Sequence, residues 1–134
     1  MFICFLISIS HCTVIGIDLG SDSIKVAIGS QQKGVHRVRD YYKNDFTPNI
    51  FSYTDRSNWA YGEGAVTQCH IYPETCIQNQ KLPLNDNTYF GGSLKGYEIT
   101  AVALKQTIKN IIKKLKINET HLSVVVAIPP SMTN

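Results

Sequence analysis

Val14-Ile15-Gly16-Ile17-Asp18-Leu19-Gly20-Ser21-Asp22-Ser23-Ile24-Lys25-Val26-Ala27 is the stretch on which the fold turns. Val14 to Asp18 reads as a buried strand and Ile24 to Ile28 as a second one. Between them a glycine is followed by small polar residues, which is turn chemistry. The pair is expected to form a β-hairpin with Asp18, Gly20 and Ser21 at its tip. A tight turn of this kind aims the backbone N–H groups of Gly20, Ser21 and Asp22 at one point. Such a concavity binds anions, and glycine lets a phosphate come close to the backbone. The Ser21 hydroxyl adds a donor, and the Asp18 carboxylate at the strand end suits a magnesium ion held through water. The competing reading is an ordinary hairpin with a hydrophilic tip.

Outward from the hairpin, Val35 to Tyr42 suggests a third strand and Asn49 to Tyr53 a fourth, approached through Thr47-Pro48. Asp55 to Asn58 turns the chain into Trp59-Ala60-Tyr61. Gly62 to Cys69 reads as a short helix with Pro73 as its outer limit. Leu82 to Gly96, rich in Pro, Asn, Asp and Gly, reads as a loop or reduced insertion. Leu104, Ile108, Ile111, Ile112 and Leu115 fall on one face of a clear helix, with Lys105, Lys109, Lys113 and Lys116 on another. Ser123 to Ile128 has the β-branched composition of a buried parallel strand, closed by Pro129-Pro130. The order hairpin, strands, helix, strand predicts an α/β layer with a mixed sheet and a flanking helix.

The chain has 134 residues, 43% of them hydrophobic and 17% charged, which excludes disorder and collagen-like repetition. A net charge of +3 is too small to argue for nucleic acid, and no nucleic-acid partner is expected. No apolar run reaches the ~18 residues of a membrane span. Phe2 to Ile9 is apolar apart from Ser8, and Ser10 and Cys12 stand at the −3 and −1 positions of a cleavage site before Thr13. This favours a signal peptide over residues 1–12, against the alternative of a buried strand. Cys69 and Cys76 remain after that segment. On one straight helix they would stand roughly 10 Å apart, so two separate thiols are slightly preferred. His70 beside Cys69 has no second ligand pair at metal-binding spacing. Asn118-Glu119-Thr120 is a glycosylation sequon. The lysine-rich helix face reads as solvated surface, and Tyr41, Tyr42, Trp59 and Tyr61 read as packing residues. Asp40, Asp45, Glu63 and Asp86 show no fixed glycosidase spacing, and no Ser-His-Asp nucleophile signature is present.

Ile15-Gly16-Ile17-Asp18-Leu19-Gly20-Ser21 resembles the first phosphate loop of the actin-like ATPase superfamily, which includes sugar kinases and heat-shock chaperones. Three further segments point to the heat shock protein 70 family. Thr47-Pro48-Asn49-Ile50 is similar to its Thr-Pro-Ser-x-Val segment, and Tyr61-Gly62-Glu63-Gly64-Ala65 to its Gly-Asp-x-Ala segment. Val124-Val125-Val126-Ala127-Ile128-Pro129 resembles its Val-Val-Thr-Val-Pro strand, preceded by an amphipathic helix. Asp18 to Ala27 looks most like the large, endoplasmic-reticulum-lumenal, hypoxia up-regulated branch. The resemblance covers nearly all of 14–134.

That resemblance implies a partial actin-like, ribonuclease H-like ATPase domain over residues 13–134, the N-terminal part of a nucleotide-binding domain. It implies ATP and magnesium as cofactors, with Gly20, Ser21 and Asp22 on the phosphates and Asp18 near the metal. The expected role is ATP-regulated protein folding in the endoplasmic reticulum lumen, with unfolded clients and partner chaperones. Gln80 stands where the family's catalytic lysine is expected, and Lys81 follows it. A neutral amide cannot offset charge on a phosphoryl group, so Asp18 and Lys81 are the remaining catalytic candidates. Asp22 also replaces the usual threonine. A non-enzymatic, partner-binding module is the alternative, and a sugar-kinase-type enzyme comes third.

Overall fold

The computed structural model describes residues 13–78, 89–90, 94–117 and 122–127. Alternation in the opening stretch produces the first strand, β1 (Val14–Leu19), whose Ile15, Ile17 and Leu19 are buried while Val14 and Asp18 are exposed. The chain reverses at Gly20 to Asp22 into β2 (Ser23–Ser30), antiparallel to β1 with Ile17 opposite Val26 and Asp18 opposite Lys25. β3 (Gly34–Val38) returns along the far edge of β2, and the two-residue β4 (Thr47–Pro48) pairs with Ser23 and Ile24 on that same edge. The third strand thus stops at Val38, four residues short of the expected Tyr42. Arg39 to Phe46 instead forms a loop folded on itself, where the Asp40 carboxylate accepts from the Asn44 backbone N–H at 2.7 Å.

A second antiparallel sheet has β5 (Ile50–Tyr53) at its centre, between β6 (Trp59–Tyr61) and β7 (Cys76–Gln78). The hairpin joining β5 to β6 turns around Asp55, whose carboxylate accepts bonds from Ser57 and Asn58. The Ser57 hydroxyl, then the Asn58 amide and the two backbone N–H groups, hold its pKa down from 3.8 to about 2. A carboxyl depressed by folding stabilises the turn above its unfolded pKa and loses that contribution as pH falls through the folded one. The amides of Ser57 and Asn58 are therefore expected to lose hydrogen-exchange protection between about pH 4 and pH 2. Asp55→Asn should shift that loss to neutral pH.

Helix α1 (Glu63–Ile71) follows β6 and packs on the second sheet through Ala65. Its start requires a glycine: Gly62 has φ +66, and a Cβ there would lie 2.8 Å from Thr47 Cγ2. After α1 the chain makes a 3-10 turn over Pro73–Thr75, and Cys76 opens β7. Cys69 and Cys76 are joined by a disulfide, with Cα atoms 5.2 Å apart. The expectation of separate thiols fails because it assumed one straight helix. Pro73 ends that geometry and swings the chain back within bridging distance.

The expected loop over Leu82 to Gly96 contains a short hairpin of β8 (Tyr89–Phe90) and β9 (Leu94–Lys95). Helix α2 (Gly96–Leu115) begins there, eight residues before Leu104, with the Glu98 carboxylate accepting the Lys95 N–H at 2.8 Å. Its buried line is Gly96, Ile99, Thr100, Ala103, Thr107 and Ile111. Ile99 seals the aromatic core of Phe51, Tyr53 and Ile77, while Ala103 and Ile111 seal the β1–β2 core. One helix therefore closes both sheets. Ile112 and Leu115, expected on the packed face, are more than a third exposed.

The last strand, β10 (Ser123–Ala127), lies parallel to β1 with Ile15 beside Val124 and Asp18 beside Ala127. The parallel pairing matches expectation, but the burial does not. β10 lies at the sheet edge among the described residues, and Val125 is 61% exposed. The molecule is thus a mixed α/β fold with parallel and antiparallel pairing in its main sheet. No helix of the described residues is long and apolar enough to cross a membrane.

Candidate functional site

The hairpin tip sits where β1 and its parallel neighbour β10 both end, and the carboxyl ends of parallel strands are where open α/β sheets place ligands. Buried Leu19 and Ile24 close the base of the turn, and the polar tip projects beyond them. The Gly20 N–H donates to the Ser23 carbonyl at 3.1 Å. A Cβ at residue 20 would stand 2.7 Å from that same oxygen, so this tight reversal needs glycine.

The expected three-donor nest is therefore narrower. The Gly20 N–H is engaged inside the turn, whereas the N–H groups of Ser21 and Asp22 have no acceptor among the described residues. Asp18 stands exposed at the end of β1, with the Lys25 ammonium 3.9 Å from its carboxylate across the strand pair. Both side chains are more than half exposed, so the attraction is screened and contributes little to stability. The pair leaves most of the Asp18 carboxylate open to water.

Asn49 holds this arrangement still. Its side-chain amide donates to the Gly20 carbonyl at 2.8 Å, and its backbone N–H donates to the Asp22 carbonyl at 2.9 Å. Two bonds from one residue thus fix both sides of the tip. Nothing in the sequence marks Asn49 for this role, because 29 positions separate it from Gly20.

The fold thus brings Asp18, Gly20, Ser21 and Asp22 together on one turn, and their donors and carboxylate fit a phosphate edge bridged by a cation. Two carboxylates, Asp18 and Asp22, lie close to any such anion and favour a metal-bound over a bare phosphate. Gln80 and Lys81 lie outside the described residues, as do the sequon at Asn118, Pro129-Pro130 and the segment 1–12. Among the described residues no cluster of His, Cys, Asp and Glu could by itself hold a metal ion.

A separate hollow lies between the 39–46 loop, the outer edge of β2 and α2, and it includes none of the tip residues. Tyr61 lines it, and its buried hydroxyl has no well-formed hydrogen bond among the described residues. Burial pushes that phenol well above the usual tyrosine range, although the neighbouring Thr107 hydroxyl moderates the effect. No family model matches the chain, and no curated protein matches it.

Proposed function

We propose that this chain carries the opening segment of the nucleotide-binding domain of a heat shock protein 70-type chaperone, an actin-like ATPase fold of the ribonuclease H-like class. The observation that carries this reading is the pinned tip at the carboxyl end of the β1–β10 pair, with Asp18, Gly20, Ser21 and Asp22 on one turn. Ser21 and Asp22 donate N–H groups to phosphate oxygens, and the Ser21 hydroxyl adds a third donor. Gly20 keeps the turn tight enough for close approach. Asp18 holds magnesium through water. ATP bound there with magnesium supplies the phosphoryl group whose turnover regulates client binding in such chaperones. The Cys69–Cys76 bridge supports an oxidising compartment, in line with the endoplasmic reticulum lumen.

A second reading, a non-enzymatic module that binds a partner chaperone, is favoured by the tip itself. One of its three expected N–H donors is engaged internally, and two carboxylates crowd the anion position. Weak nucleotide binding is expected from this polypeptide. On titration with Mg·ATP, the amide resonances of Ser21 and Asp22 should shift with millimolar-range affinity and no turnover. Asp18→Asn should remove the magnesium dependence of those shifts. Unmoved tip amides at high Mg·ATP would rule out the nucleotide reading and leave the partner-binding one. Micromolar affinity with turnover would refute the expected weakness.

A further inference from the structure

The hollow beside α2 is built rather than incidental. It has a volume of about 470 Å³, within the range of small-molecule sites. Its floor is core: Ile24, Val26, Val38 and Ile111 are all at most 9% exposed. Its outer wall is the 39–46 loop, where Tyr41, Tyr42 and Phe46 are half or more exposed. Three large aromatics exposed around one hollow form an apolar patch of the kind that marks ligand grooves.

The wall is held in place by named bonds. The Lys114 ammonium donates to the Arg39 carbonyl at 2.6 Å and the Asp40 carbonyl at 2.8 Å, strapping the loop to α2. Asp40 closes the loop internally by accepting from both nitrogens of Asn44. Lys43 adopts φ 69 within it.

Charge decides what this hollow takes. Four cations line it, Arg39, Lys43, Lys113 and Lys114, against two acids, Asp40 and Glu63. Arg39 is paired with Asp45 at 3.1 Å, and Lys114 is committed to the two carbonyls. Lys43 and Lys113 have no carboxylate partner among the described residues. We infer that the hollow binds a small amphipathic organic anion, with a ring-sized apolar body among Tyr42, Phe46 and Ile111 and an acidic head group between Lys43 and Lys113. Thr107 and Asn110 supply neutral hydrogen-bonding groups on the α2 side. The site is separate from the hairpin tip and does not depend on the nucleotide reading.

The test is calorimetric titration of the chain with 2-naphthoate and with its uncharged isostere 2-naphthamide, at low ionic strength where the rim charges are least screened. Naphthoate should bind saturably and at least about tenfold more tightly than the amide, since one bound charge pair contributes on that scale. Lys43→Asn with Lys113→Gln should bring the two ligands level; asparagine suits the left-handed backbone at residue 43. Lys105→Gln with Lys109→Gln, both on the exposed side of α2, should leave the preference intact. Equal binding of acid and amide by the parent chain would overturn the proposal. So would absence of saturable binding, or equal loss in the Lys105/Lys109 variant, which would show only diffuse attraction to a basic helix.

Discussion

Leu19→Ala should lower the unfolding free energy by about 2–5 kcal/mol, the usual cost of truncating a fully enclosed leucine. Leu19 is 1% exposed and packs with Ile15, Ile17 and Ile24 beneath α2. Its removal leaves a cavity that the surrounding strands cannot close, because β1 is held by partners on both sides. The same residue precedes Gly20, so the substitution should also loosen the tip, seen as faster exchange at the Leu19 and Ile24 amides. Val14→Ala is the internal comparison. Val14 lies on the same strand at 36% exposure, and its truncation should cost under about 1 kcal/mol. Urea denaturation of the three proteins measures both figures. A loss below about 1 kcal/mol at Leu19 would mean that β1 is not packed against α2 as described.

Removing the Cys69–Cys76 bridge should cost about 2–3 kcal/mol, the chain-entropy value for so short a closed loop. The bridge ties the end of α1 to the first residue of β7, next to the Ser52–Thr75 hydroxyl contact of 2.8 Å. Without it, β7 still has its ladder to β5 and Ile77 in the aromatic core, but the covalent tie to α1 is lost. The paired Cys69→Ser and Cys76→Ser variant avoids a lone thiol, and its urea midpoint should match that of the reduced parent. Alkylation of the unfolded, unreduced protein should leave both positions unlabelled. Labelling at Cys69 and Cys76 with an unchanged midpoint would show that the bridge does not form in solution.

Much of the architecture was legible because local chemistry and tertiary structure agree. Ile15, Ile17 and Leu19 alternate with exposed positions, and Gly20 reverses the chain where a Cβ would strike the Ser23 oxygen. The turn after Tyr53 and the helix after Gly62 are legible from local chemistry as well, and the β-branched run at 123–128 marks a parallel strand without showing its neighbour or its exposure. α2 shows the limit of that approach. Ile111 of its expected face is buried and Leu104 and Ile108 pack on the core, but Ile112 and Leu115 are more than a third exposed, and the buried line also takes in the small residues Gly96, Ala103 and Thr107. Small residues carry little hydrophobic signal, yet they are what lets a helix lie close to two sheets at once.

The candidate site divides along the same line. Sequence alone determined the hairpin, the residues at its tip and the chemistry those residues offer, because all of these are set within a few positions of one another. Tertiary structure alone decided three things. Asn49 pins the tip from 29 residues away. The chain reversal at Pro73 brings Cys69 and Cys76 together. The 39–46 loop is strapped onto α2 by Lys114, 75 residues from Arg39. Two of these contacts join segments far apart along the chain, and the third depends on the path the chain takes from α1 through the 3-10 turn into β7. Such contacts depend on where packed strands and helices put those segments, which the chemistry of neighbouring residues does not set.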